Sequence, residues 1–168
     1  GSQFEYKGAY LSSKLSFLDS ECIRFFHSEL SNLHSAAREA GLRLRSQGYE
    51  GPAGIDAMIY RDKTGSLKLK PIVEINPRYT MGRVALELEK LLSPSSVGLW
   101  QFLPVKAGRP TSAPIIKDSA GRIKEGSFFT TDPERATHVY TWLTVSPEVD
   151  KLRKEVQSLH PKARTHSE

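Results

Sequence analysis

Asp56, Glu74, Asn76 and Arg78 are the residues of this sequence whose types and spacing could do chemistry together. Two carboxylates and an amide oxygen are hard donors of the kind magnesium takes, usually in company with substrate phosphates. Arginine adds a planar fork of N–H donors that fits a carboxylate or a phosphate. Glu74 and Asn76 lie two apart, so on a strand they share a face, and Arg78 follows just past the strand end. If the strand carrying Asp56 pairs antiparallel with it and without a bulge, even positions meet even positions and Asp56 joins that face. Glu74, between the other two, is placed to bridge two ions. Ile55, Ile59, Val73 and Ile75 fill the opposite face. A single acid at a strand end is ordinarily a solvated edge or a helix cap. Carboxylates on a part-buried sheet face are costly unless a cation or hydrogen bonds offset their desolvation. Three such groups on one face of two otherwise apolar strands therefore point to a metal and phosphate site.

The elements that must position these residues follow from the pattern around them. Two short apolar strands flank a turn at 62–65. Gly54 suggests a close approach to the backbone and Gly51 a turn. Upstream, Asp19 is a helix N-cap with Glu21 in the first turn, and Ile23, Phe26, Leu30, Leu33 and Ala37 make an apolar stripe. Gly41 is expected to end or loosen that helix. Downstream, Thr80 caps a helix running to about Leu92, with Val84, Leu88 and Leu91 or Leu92 as its buried side. One or two strands are expected within 4–17, with Gly8 at a turn or bulge.

Beyond Leu92 the sequence predicts a strand over 97–105, with Trp100 and Phe102 on one face and Leu99 and Leu103 on the other. A loop over 108–114, a hairpin around 118–121, a helical turn at 132–134 and a strand over 139–145 come next. Ser146-Pro147-Glu148 starts a last helix, with Val149, Leu152, Val156 and Leu159 apolar. The fold class expected is α+β, a mainly antiparallel sheet with flanking helices.

At 168 residues the chain suits one domain with a real core. Hydrophobic residues make up 38% and charged residues 26%, as in ordinary globular proteins. No apolar run approaches the ~20 residues of a membrane span. Gly1-Ser2 reads as an expression remnant, with no secretory signal. The lone Cys22 excludes an internal disulfide and a cysteine-cluster metal site, and a reducing cytoplasmic setting is expected. The net charge of +5 is compatible with an anionic partner without naming one.

Gly54-Ile55-Asp56, a hairpin, and Glu74-Ile75-Asn76-Pro77-Arg78 together resemble the C-terminal part of the ATP-grasp domain. The Glu-x-Asn-x-Arg form is similar to that of the carbamoyl-phosphate synthetase and biotin carboxylase branches. The resemblance covers roughly 4–92 and implies that Asp56 and Glu74 hold the magnesium ions of ATP, with Asn76 on the second ion. It implies that Glu74 and Asn76 bind the ATP–magnesium pair and that Arg78 steadies the carboxylate or acyl-phosphate. The implied function is that of an ATP-dependent carboxylate ligase, with ATP and a carboxylate as partners. Neither a membrane nor nucleic acid is expected as a partner. The family's upstream half, with its lysine-bearing strands and glycine-rich phosphate loop, has no counterpart here. The chain is therefore expected to be a C-terminal portion, inactive alone and dependent on an upstream half. On this reading 3–92 belongs to the ATP-grasp domain, 93–160 is an α+β extension packed on it, and 161–168 is a flexible tail.

Two readings compete. An Asp followed by Glu-x-Lys on the next strand marks many metal-dependent nucleases, but Asn76 and Arg78 stand where that lysine would. A non-catalytic binding module is the other. His27 and His34 have no acidic partner at metal spacing, and Cys22 with His27 lacks an orienting third group, so neither pair is expected to act. Lys14 and Arg83 read as solvated side chains that would at most add to an anion pocket.

Overall fold

The computed structural model describes residues 8–159. It is α+β, with seven strands, all paired antiparallel, and three helices among the described residues. The chain divides into two compact units, one formed by Leu18–Leu86 and the other by the segments before and after it. The divisions fall after Phe17 and after Leu86. The side chains of Val156 and Leu159, the stretch 4–7 and the tail 161–168 lie outside the described residues.

The unit Leu18–Leu86 starts with α1 (Ser20–Ser46). Asp19 caps it by accepting the Cys22 N–H at 2.7 Å, as its type predicts. Gly41 does not stop the helix. A glycine costs about 1 kcal/mol inside a helix, too little to break one stabilised along its length by an apolar stripe. The stop comes at Gly48, whose φ of 82 is the left-handed geometry that glycine adopts without strain. There Tyr49 N–H reaches Leu44 O and Gly48 N–H reaches Arg45 O, the paired bonds of a Schellman motif. Next come β2 (Gly54–Arg61) and β3 (Leu67–Asn76), which form a two-stranded sheet, and then α2 (Met81–Glu89), which extends past the end of this unit. Helix α2 is shorter than expected, ending at Glu89, and Ala85 is its buried residue. Val84 is exposed at 42% and Leu88 is half-buried, while of the two residues Leu91 and Leu92 beyond the helix Leu92 is buried and Leu91 is exposed.

The other unit is a five-stranded antiparallel sheet in the order β1-β4-β7-β6-β5. Its strands are β1 (Gly8–Leu11), β4 (Val97–Pro104), β5 (Ala113–Lys117), β6 (Ile123–Phe129) and β7 (Val139–Ser146), and α3 (Val149–Leu159) follows the last. The central strands β4 and β7 are buried almost end to end. Leu152 of α3 packs with Val97 and Leu99, beside Tyr10, Phe17 and Val149. Leu103, Tyr140 and Trp142 form a second cluster. Trp100 and Trp142 are core residues, and each indole N–H finds a threonine hydroxyl at 2.9 Å, Thr130 and Thr144 respectively. At 132–135 the chain makes a single turn over 133–135 that does not go on into a helix, with Asp132 accepting the Glu134 N–H.

Candidate functional site

The turn between β2 and β3 sets where their side chains meet. Asp62 accepts N–H bonds from Thr64 at 2.9 Å and Ser66 at 3.1 Å, and Gly65 takes a φ of 84. These bonds hold the Asp62 carboxyl below its ordinary range, the Thr64 hydroxyl contributing most. The backbone closes on itself through Gly65 N–H to Asp62 O and Asp62 N–H to Ser66 O, a turn followed by a glycine bulge. From it the ladder runs Arg61↔Leu67, Tyr60↔Lys68, Ile59↔Leu69 and Met58↔Lys70. Arg61 also pairs with Glu21 at 2.5 Å, tying the hairpin to the first turn of α1, and its guanidinium lowers the Glu21 carboxyl's pKa.

The ladder then breaks. Pro71 has no N–H to donate, and 71–73 stand opposite Ala57 alone, so β3 carries two extra residues. Pairing resumes at Asp56↔Glu74, Ile55↔Ile75 and Gly54↔Asn76. The bulge corrects the unbulged pairing expected from sequence, and its size matters. An insertion of two keeps even residues opposite even residues, whereas an insertion of one would have turned Glu74 away. Without any bulge the ladder from the turn would carry Asp56 to Ile72. The bulge slides Glu74 into place opposite Asp56.

The four residues singled out by type are thus brought together. Asp56 and Glu74 are cross-strand partners. Asn76 Nδ2 donates to Asp56 Oδ2 at 3.5 Å, and Arg78 donates from its guanidinium to Asn76 Oδ1 at 3.3 Å. Arg78 N–H bonds Asn76 O at 2.8 Å, so the chain folds back at the strand end. Gly54 is a close approach, as expected: a Cβ there would lie 2.5 Å from the Thr80 methyl. Lys68 and Lys70 stand opposite Tyr60 and Met58 on the same face as the acids. Sequence reasoning did not single them out, although even numbering along β3 points to them.

The electrostatic argument changes with the geometry. Asp56, Glu74 and Arg78 are exposed and Asn76 is half-buried, so desolvation is not what a cation would offset. Two carboxylates placed directly across an antiparallel pair repel instead, with Cβ atoms about 5 Å apart. A divalent ion between them would turn that repulsion into attraction. Among the described residues no three His, Cys, Asp or Glu side chains gather as a metal cluster. The donor set is two carboxylates and an amide, which fits a hard cation that completes its shell with phosphate oxygens or water.

The other candidates named from sequence are placed as follows. Burial pushes the Cys22 thiol up, with the nearby Asp19 carboxylate adding to the effect, the opposite of a nucleophile's environment. His27 and His34 are exposed on α1, and Lys14 is exposed after β1. A cleft of about 360 Å³ in the five-stranded unit is lined by Glu125, Ser127, Thr144, Lys151 and Glu155. Lys151 pairs with Glu125 and the Thr144 hydroxyl donates to Glu155, both at 2.7 Å. No helix among the described residues is long and apolar enough to cross a membrane.

Comparison with known proteins identifies no relative: no family model, no curated protein and no solved structure matches the chain.

Proposed function

We propose that the face bearing Asp56, Glu74, Asn76 and Arg78 is the cation- and phosphate-binding wall of an ATP-dependent carboxylate ligase of ATP-grasp type. The observation that carries this reading is the register, which sets Asp56 opposite Glu74 with Asn76 and Arg78 linked to them in series. Asp56 and Glu74 would share a magnesium ion, and Glu74 with the Asn76 oxygen would hold a second. Magnesium bound there would neutralise charge as the terminal phosphoryl group of ATP passes to a carboxylate. Arg78 would orient that carboxylate through its paired donors. Lys68 and Lys70 add positive charge along the same face. This chain supplies one wall of the site, needs an upstream half for the nucleotide grip, and does not ligate alone; a cytoplasmic setting goes with the reading.

Manganese binding, followed by electron paramagnetic resonance, tests the wall directly. Binding should be lost in Glu74→Ala and in Asp56→Ala while circular dichroism stays that of the parent. Equal binding in both variants would overturn the reading. Magnesium-dependent DNA cleavage that disappears in Glu74→Ala would replace it with a nuclease. ADP release by the chain alone, with carboxylates present, would refute the dependence on an upstream half.

A further inference from the structure

The hydrogen bonds at the strand end leave Asn76 facing the wrong way for the role just given to it. Its Nδ2 points to Asp56, and its oxygen is taken by the Arg78 guanidinium. An amide nitrogen has no lone pair to offer a cation, so a metal can use only Oδ1. A guanidinium and a metal ion on one oxygen would stand about 4 Å apart, two positive charges at close range. We propose that Arg78 and a divalent cation are alternative occupants of the Asn76 oxygen, so that cation binding releases Arg78 to receive an anion. This rests on the metal reading of the site.

Two routes lead to the same release. If the amide keeps its orientation, the cation displaces the guanidinium from Oδ1. If the amide rotates half a turn toward a cation shared with Asp56, its N–H donors come to face the donors of Arg78, which must again leave. Bonds of 3.3 and 3.5 Å are long for hydrogen bonds, so the exchange is easily made. The fork of Arg78, then held only by a long 3.4 Å bond from Nη1 to the Tyr79 carbonyl, is complementary to a phosphate or carboxylate. By linkage the anion must in turn tighten the cation by the same factor.

The experiment is a titration of the chain with magnesium chloride, followed by side-chain NMR of Asp56, Glu74, Asn76 and Arg78. The Asn76 Nδ2 and Arg78 Nε signals should move with one midpoint, shared with the two carboxylates. Inorganic phosphate should bind about fivefold or more tightly with magnesium present. In Asn76→Ala the carboxylates should still respond and Arg78 should not. Carboxylates that respond while Arg78 stays still in the parent chain would overturn the exchange and leave the metal reading standing. An Arg78 response that persists in Asn76→Ala would also overturn it, because the coupling would then run through charge alone. Silence at all four residues would remove both.

Discussion

Two hairpins of this protein are turned by the same chemistry and put to different ends. In β2–β3 Asp62 accepts the N–H groups two and four residues on, and Gly65 is left-handed. In β5–β6 Asp118 accepts the N–H groups of Ala120 and Arg122 at 3.0 and 2.9 Å, and Gly121 is left-handed with a φ of 77. Past the turns they diverge. Strand β6 pairs onward to β7, and its Gly126 and Ser127 are buried in a five-stranded sheet. The β2–β3 pair has no third strand among the described residues, and Asp56 and Glu74 remain exposed. A turn fixes register; what packs over the strands decides whether their face becomes core or stays open to a ligand.

The contrast is sharpest at the centre of the larger sheet. Leu143, fully buried on β7, should lose about 2–5 kcal/mol of stability on Leu143→Ala, read as a shift of the urea midpoint. A loss under about 1 kcal/mol would mean that this sheet is not the dominant core. Gly98→Ala comes next. Its Cβ would lie 2.8 Å from Leu92 and 3.2 Å from Leu143, and overpacking of this kind costs about 1–3 kcal/mol.

The turns should respond alike despite their settings. Gly65→Ala and Gly121→Ala each place a side chain at positive φ with open space around it, so strain alone should cost about 1–2 kcal/mol at each. Unequal losses would show that the two turns are not equivalent. Glu74→Gln, by contrast, removes repulsion on an exposed face and should leave thermal stability within about 0.5 kcal/mol while weakening manganese binding.

The mildest effect is that of acid. Asp62 and Asp118 are both held below the ordinary carboxylate range, Asp62 chiefly by the Thr64 hydroxyl and Asp118 by the Arg122 N–H. A lowered folded-state pKa stabilises the fold at pH above the unfolded value, near 4. That contribution disappears as the pH falls through the lowered values. Acid titration of the parent against Asp62→Asn and Asp118→Asn should show a shallower loss below about pH 4 in each variant. Parallel curves would mean that these turns contribute nothing to acid sensitivity.

Much of this was legible along the chain. Asp19 announced the start of α1, the Asp-x-x-Gly turns announced both hairpins, and the apolar runs at 97–105 and 139–145 announced core strands. The stop of α1 was legible too, at Gly48, but Gly41 drew the reading seven residues early because a helix stripe can carry one glycine. The bulge had a signal in Pro71, whose missing N–H cannot serve a regular ladder. The exposure of the acidic face had none, since it depends on which distant segments pack over that face.

The sequence by itself determined what is local: the caps, the turns, the alternation that puts Glu74 and Asn76 on one face, and the residue types offered there. These depend on atoms a few residues apart, whose preferences persist whatever the rest of the chain does. Only the tertiary structure decided that β1 joins β4, that Ala85 rather than Val84 is the buried residue of α2, and that Asp56 comes to lie opposite Glu74 with Arg78 on the Asn76 oxygen. Such pairings follow from which surfaces remain after each strand has found its neighbours, a competition among distant segments that no short window of sequence contains.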